Sequence, residues 1–162
     1  MSILKVDTLQ PATAARIHAA GHTIQTVRTG YSTYANTTST SFAATGLTAT
    51  ITPTSTSSKI LIDVKMNGMY MSVVAGYIVL ELYKGSSSIK RLSTTSGYRS
   101  SGDEPSYGVY TNCYDHLDSP STTSATTYTV YWKVTSGTAY INNYNLLNGD
   151  SLSSITLQEI AQ

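Results

Sequence analysis

The sequence predicts an all-β fold: an antiparallel, jelly-roll-like β-sandwich of about eight or nine strands with an extended N-terminal arm. In residues 59–67, apolar Ile60, Ile62, Val64 and Met66 alternate with mostly polar neighbours, which is the period of a half-buried strand. About three residues in ten are Ser or Thr, and thirteen are Tyr, types that suit a pleated surface. No long helical period occurs. The chain therefore reads as strands joined by Ser/Thr-rich loops.

Size and charge exclude several classes of protein. A chain of 162 residues suits one domain with a full core. The net charge of +1 argues against a nucleic-acid partner. No apolar run is long enough for membrane insertion, and the first residues lack the apolar core of a signal peptide. We therefore expect a protein made in a cytoplasm, with one cysteine and no internal disulfide.

The first 23 residues differ from the rest, and we expect them to form a docking arm before a sandwich domain at 24–162. Pro11 breaks the apolar run, and the Ala-rich stretch 12–20 suits a helical turn or two that ends at Gly21. An extended arm of this kind can add as a strand to a sheet edge of a partner. The expected docking residues are Ile3, Leu4, Lys5, Val6, Leu9 and Arg16.

Strand patterns then follow at short spacing. They cover 23–29, 40–44, 47–52, 59–67, 77–84, 89–93, 109–117, 128–134, 138–142 and 154–160. The second and third are separated by Gly46, which suggests a bulge in one kinked strand. The strand at 77–84 is apolar on both faces, so we expect it to be central or to lie against another subunit.

Four stretches carry a family resemblance. They are SILKVDTLQ at the start, TSTSFAATGLTATITPTSTSSKILIDVKMN, LDSPSTTSATTYTVYWKV, and SSITLQEIAQ at the end. Together they resemble tail-fibre-type virion structural proteins of tailed phages, especially those of cyanobacterial and marine hosts. The resemblance implies a β-sandwich virion protein that forms a homotrimer. Typical fibres carry a long shaft after the anchor, whereas here the arm joins the domain almost directly. A short fibre and a capsid decoration (cement) protein therefore both stay open.

Tyrosines mark two expected contact surfaces. Around the long Gly/Ser loop, rigid Tyr rings and charged side chains suit a binding loop for a host surface receptor. Its expected contact residues are Tyr98, Arg99, Asp103, Tyr107 and Tyr110. On the doubly apolar strand, we expect Tyr77, Val79 and Tyr83 to form the trimer interface.

Catalysis, metal binding and cofactors are not expected. No G-x-S-x-G nucleophile motif occurs. His18 and His22 have helical metal-pair spacing but no accompanying Glu or Cys. Asp115 and His116 are neighbours on a strand, so they point to opposite faces and do not readily share one ion. A hydrolase that uses the acidic residues between 103 and 118 is the third hypothesis, since paired carboxylates would suit glycan cleavage.

Overall fold

The computed structural model describes residues 19–72, 76–96, 110–142 and 151–162, without the side chains of residues 95, 96 and 110. These residues form ten strands and no helix. The strands are β1 Thr23–Tyr31, β2 Ala35–Thr37, β3 Ala43–Ile51, β4 Lys59–Met71, β5 Ile78–Lys84, β6 Ser87–Ser96, β7 Tyr110–Asp118, β8 Thr126–Val134, β9 Ala139–Ile141 and β10 Ser153–Ile160. In this part of the chain no helix is long and apolar enough to cross a membrane.

The strands form two antiparallel sheets. The six-stranded sheet has the order β1-β10-β4-β9-β2, with β7 also paired to β4. The four-stranded sheet has the order β3-β8-β5-β6. Packing of the two sheets confirms the antiparallel β-sandwich that the sequence predicts. The short strand β2 is an addition, because three polar or small residues give no period to detect.

Alternating apolar residues build the core between the sheets. The four predicted inward residues of β4, Ile60, Ile62, Val64 and Met66, are each at most 1% exposed. From the opposite sheet, the inner residues of β3, β5 and β8 face them: Leu47, Ala49, Ile51, Ile78, Leu80, Leu82, Tyr128, Val130 and Trp132. The burial of these side chains is the main favourable term in folding.

Gly46 makes the predicted kink in β3. Its φ is +95°, and the pairing of β3 with β8 shifts register between Ala44 and Thr48, as a bulge does. A Cβ at this position would lie 2.8 Å from the ring of Tyr31. Only glycine satisfies both the backbone angle and this close approach.

The strand registers define two ends of the sandwich. At the first, which we call the arm end, β1 begins and β7 and β10 finish, since Thr23 pairs with Ile160 and Ile60 pairs with Asp118. At the second, which we call the loop end, β1 finishes and β7 begins. The segments 73–75, 97–109 and 143–150, which lie outside the described residues, all connect strand termini at the loop end.

A buried carboxylate ties the arm end together. Glu159 on β10 is 0% exposed, and its oxygens accept hydrogen bonds from the Gln25 side chain (2.6 Å) and from the backbone and hydroxyl of Thr54 (2.7 Å each). Burial alone raises a carboxyl pKa, but these hydrogen bonds outweigh it and lower the pKa of Glu159 to about 2. The carboxylate thus holds the Pro- and Ser-rich β3–β4 loop against the sheet.

A buried amide does the same at the loop end. Asn142 is 0% exposed and has a φ of +51°. Its side-chain NH₂ donates to the carbonyls of Tyr31 (2.8 Å) and Thr33 (3.1 Å), while its oxygen accepts a hydrogen bond from Ser153 (2.8 Å). The turn after β9 is therefore fixed to the β1–β2 connection and to β10.

We expect Glu159→Gln to destabilise the fold by about 2 kcal/mol at pH 7, because it removes charged hydrogen bonds in a buried site. The folded pKa lies below the usual 4.5, so the carboxylate stabilises the fold above that value and loses this contribution as pH falls towards 2. The difference between variant and wild type should therefore shrink across that range in urea unfolding curves. Asp115→Asn, at an exposed carboxylate, is the control. A pH-independent difference would contradict this account.

Candidate functional site

Two of the three sets of predicted site residues, the arm residues and the receptor-contact residues, lie wholly or almost wholly outside the described residues. All the arm residues, Ile3, Leu4, Lys5, Val6, Leu9 and Arg16, belong to the first set. Of the receptor-contact residues, Tyr98, Arg99, Asp103 and Tyr107 also lie outside, and Tyr110 begins β7 without a described side chain. Both sets remain predictions.

The third set, the expected trimer interface, lies along the outer side of β5. Tyr77 precedes the strand and is 36% exposed, and Tyr83 is half-buried. Val79 is only 5% exposed within the single chain, so it has little further surface to bury in an assembly. The three residues alternate with the core-facing Ile78, Leu80 and Leu82, as the doubly apolar pattern predicts.

A cluster of aromatic rings surrounds Tyr83, and we call it the aromatic face. It consists of Phe42, Tyr83 and Tyr131 on the outer side of the four-stranded sheet. The rings of Tyr83 and Tyr131 stack with centroids 4.0 Å apart, and Phe42 lies 6.3 Å from Tyr83. Burial and the neighbouring Glu81 carboxylate raise the pKa of Tyr83, so its hydroxyl stays protonated near neutral pH.

Charged side chains frame the aromatic face. Arg91 and Lys133 lie over the ring of Phe42, at 5.5 and 4.8 Å from its centroid. Arg91 also forms an ion pair with Glu81, which accepts a further hydrogen bond from Ser88. Although Glu81 lies on the outer side of its strand, it is only 7% exposed. The face is therefore a pre-formed surface of rings beside the Glu81–Arg91 ion pair, and aromatic residues and Arg are enriched at the centres of protein interfaces.

Sequence reasoning found only one member of this face. Tyr83 is visible from the alternation of β5, but Phe42, Tyr131 and Arg91 reach it through cross-strand registers. Glu81 pairs with both Tyr131 and Arg91, and Ala44, two residues after Phe42, pairs with Tyr131. The available signal was the alternation of 127–133, which places Tyr131 and Lys133 on one side of β8.

A second row of rings lies on the six-stranded sheet near the loop end. Tyr140 stacks between Tyr34 (5.8 Å) and Tyr70 (5.6 Å), with the rings inclined by 25–30°. Tyr70 and Tyr140 are direct cross-strand partners, and Tyr34 is 37% exposed. These rings turn their faces to one another.

The acidic cluster at the end of β7 has a structural role. Asp118 points inwards, pairs with Lys84 (2.9 Å) and accepts a hydrogen bond from the Tyr128 hydroxyl (2.7 Å). Burial and the Asp118 carboxylate raise the pKa of Tyr128. Asp118 therefore joins the two sheets.

Metal binding finds no support in the described part of the chain, where no group of three His, Cys, Asp or Glu side chains could hold an ion. Cys113 is exposed on the outer side of β7. The outer side of β7 carries mostly polar residues and faces solvent.

Comparison with known proteins gives a likeness of fold. No protein-family model matches the sequence, and no curated protein matches it. Among solved structures, the VP2 subviral particle of infectious bursal disease virus matches 98% of this chain with a TM-score of 0.53 and 9% sequence identity. The chain spans 37% of the length of that protein. The T=1 particle of the VP2 D431N mutant also matches, at 8% identity and a TM-score of 0.47.

We expect Phe42→Ala to lower stability by about 1–2 kcal/mol, because both cations lose the ring beneath them and each exposed cation–π contact contributes about 0.5–1 kcal/mol. Phe42→Leu is the matched control, since it keeps apolar area without a π-face. Chemical unfolding of the three proteins measures the difference. Equal stability of the Leu variant and wild type would mean that the ring supplies only area.

Proposed function

We propose that this protein is a structural component of a virion, and that its mechanism is binding rather than catalysis. The observation that carries the proposal is the fold: a two-sheet sandwich that matches a viral particle protein over 98% of the chain. The resemblance of the four sequence stretches to tailed-phage virion proteins points to the same class independently. The finer proposal is a homotrimer of the tail-fibre type that docks onto other virion proteins through its N-terminal arm.

The two-ended sandwich supports this arrangement. The chain enters the domain at the arm end, where Gly21 and Ala161 are hydrogen-bonded (2.9 Å). The Tyr-rich stretch 97–109 joins β6 to β7 at the opposite, loop end. A particle protein anchored at the arm end would carry the proposed receptor contacts, Tyr98, Arg99, Asp103, Tyr107 and Tyr110, on its far side.

The aromatic face supports trimerisation. The rings of Phe42, Tyr83 and Tyr131 lie on one sheet surface beside the Glu81–Arg91 ion pair. On the same surface, Tyr77 and Tyr83 are residues that the sequence predicts at the interface. The proposed interface therefore extends from Tyr77, Val79 and Tyr83 to Phe42 and Tyr131. In a closed cyclic trimer each copy would present this face to a different surface of the next copy.

A capsid decoration protein is the second candidate. The specific observation in its favour is that the matched solved structure is a subviral particle. In this role the arm and sandwich would bind neighbouring shell subunits. It needs the same oligomer and the same arm as the fibre.

Imaging of the intact particle that carries this protein distinguishes the two candidates. Copies in sixfold-related trimers at the tail are expected for the fibre. Hundreds of copies spread over local threefold positions of the shell would establish decoration and exclude the fibre. Absence of the protein from purified particles would overturn the virion proposal itself.

The double variant Tyr83→Ser/Tyr131→Ser should weaken the trimer. Loss of a hot-spot ring typically costs 2 kcal/mol or more, so we expect the dissociation constant to rise at least about 30-fold. Sedimentation equilibrium measures it, with circular dichroism to verify the fold. Tyr34→Ser/Tyr140→Ser is the matched control, because it removes a stacked tyrosine pair from the other sheet. Equal weakening by both pairs would contradict an interface at the aromatic face.

A further inference from the structure

The outer side of edge strand β7 carries an unusual pair of carboxylates. Asp115 on β7 lies directly opposite Asp63 on β4, on the outer side of the six-stranded sheet. Like charges in directly opposed positions of a sheet are unfavourable. Neither carboxylate takes part in the two ion pairs found within the described residues. A cation on the next strand would therefore be favourable at this position.

The rows on either side of this pair have their own character. One row is apolar: Leu117, which is 49% exposed, pairs with Leu61. The other row pairs exposed Cys113 with Lys65. From the arm end towards the loop end, the outer surface along β7 and β4 is therefore first apolar (Leu117 and Leu61) and then acidic (Asp115 and Asp63). The third row is basic on its β4 side, where Lys65 lies.

Strand β7 also presents a sheet edge. Residues 60–65 of β4 pair with β10 and with β7 at once, so the two partners lie on opposite sides of β4. Among the strands that the structure describes, β4 is the one hydrogen-bonded neighbour of β7. An edge of this kind is a template for a further strand.

The arm sequence matches these three rows in order. In an extended strand, Ile3, Lys5 and Asp7 point to one side. Set antiparallel to β7 with Lys5 opposite Asp115, the arm places Ile3 opposite Leu117 and Asp7 opposite Cys113. Ile3 would then contact Leu117, and Lys5 would lie beside Asp115 and Asp63. Asp7 would lie in the row that contains Lys65.

The alternate arm residues fit the inner side of the same edge. Leu4 and Val6 would point inwards beside β7, towards the margin of the core. There Ile89 and Leu92 of β6 are only partly buried against the core. Added apolar side chains at this margin would remove more of that surface from water.

We propose that residues 3–9 of a second copy of this chain add to β7 as an antiparallel strand, with Lys5 opposite Asp115. The proposal rests on the arm being a docking segment, as proposed above, but it names a second copy of this chain as the acceptor in place of another virion protein. The arms would link neighbouring copies independently of the aromatic face.

Reach favours a second copy over the same chain. In this register Leu9 lies opposite Thr111 at the loop end, whereas Ala19 lies near the arm end beside β1, on the far edge of the sheet. Eight residue steps along the strand and four strand spacings separate them by about 33 Å. The ten residue steps from 9 to 19 span at most about 33–36 Å when fully extended. Pro11 and a helical turn in the Ala-rich stretch would make the distance too long for the same chain.

The native Cys113 supplies the test. Directly opposed residues of an antiparallel pair have Cα atoms about 4.5–5.5 Å apart, within the range of a disulfide. Full-length Asp7→Cys, oxidised and run without reductant, should form a reducible disulfide between chains. Thr8→Cys, whose side chain points to the other side of the strand, is the matched control, and adding Cys113→Ser must abolish the link.

Each outcome of the disulfide experiment either supports or contradicts the proposal. A link between different chains, mapped by peptide mass spectrometry to residues 7 and 113, supports the proposal. A link within one chain overturns the second copy as occupant, and linking equal to that of the Thr8→Cys control overturns the register. Because particle imaging tests the virion role separately, that role can stand when the acceptor fails.

A charge exchange gives a second reading in the Asp7→Cys background. Lys5→Glu places a third carboxylate beside Asp63 and Asp115, so the rate of disulfide formation should fall up to about fivefold. Adding Asp115→Lys should restore the rate. An unchanged rate in Lys5→Glu would contradict the Lys5–Asp115 pairing.

Discussion

The pairing of β4 is the constraint on which the rest of the structure depends. This strand is hydrogen-bonded to β10, β7 and β9. Its inner residues form the centre of the core, so a slip by one residue would turn all of them to solvent and bring Asp63 and Lys65 inwards. The burial of one face thereby fixes the register of three neighbouring strands. It also fixes which side chains meet on the outer face, including Asp63 and Asp115.

Buried polar groups hold the two ends of this sandwich where apolar packing is thinnest. Glu159 fixes the β3–β4 loop at the arm end, and Asn142 fixes the turn after β9 at the loop end. Each satisfies several hydrogen-bonding groups at once, which makes its burial favourable and its geometry specific. Asp118 adds a third connection, from β7 to both Lys84 and Tyr128 of the other sheet. These contacts fix the strand connections at both ends of the sandwich.

Local patterns in the sequence predicted the fold class and the main strands but not the contacts between strands. The alternation at 60–66 and the bulge at Gly46 follow from single strands, since period and φ are local properties. The burial of Glu159 depends on a loop about a hundred residues away in the chain. The aromatic face needed the registers of β3, β8, β5 and β6 together. Distant pairing of this kind leaves no periodic signal in one strand.

The low charge of the chain gives its few charged side chains a defined use. With 12% charged residues the chain has few charged side chains, and within the described residues the outer faces carry the Glu81–Arg91 ion pair beside the ring of Phe42. On the four-stranded sheet, Arg91 pairs with Glu81 and lies with Lys133 over the ring of Phe42, so that face suits contact by shape. On the six-stranded sheet, the like charges of Asp63 and Asp115 lie opposite each other, and among the described strands β7 is paired with β4 alone. The two proposals therefore give these surfaces different partners. The aromatic face would pack against another protein surface, and the edge of β7 would pair with a strand that carries a lysine.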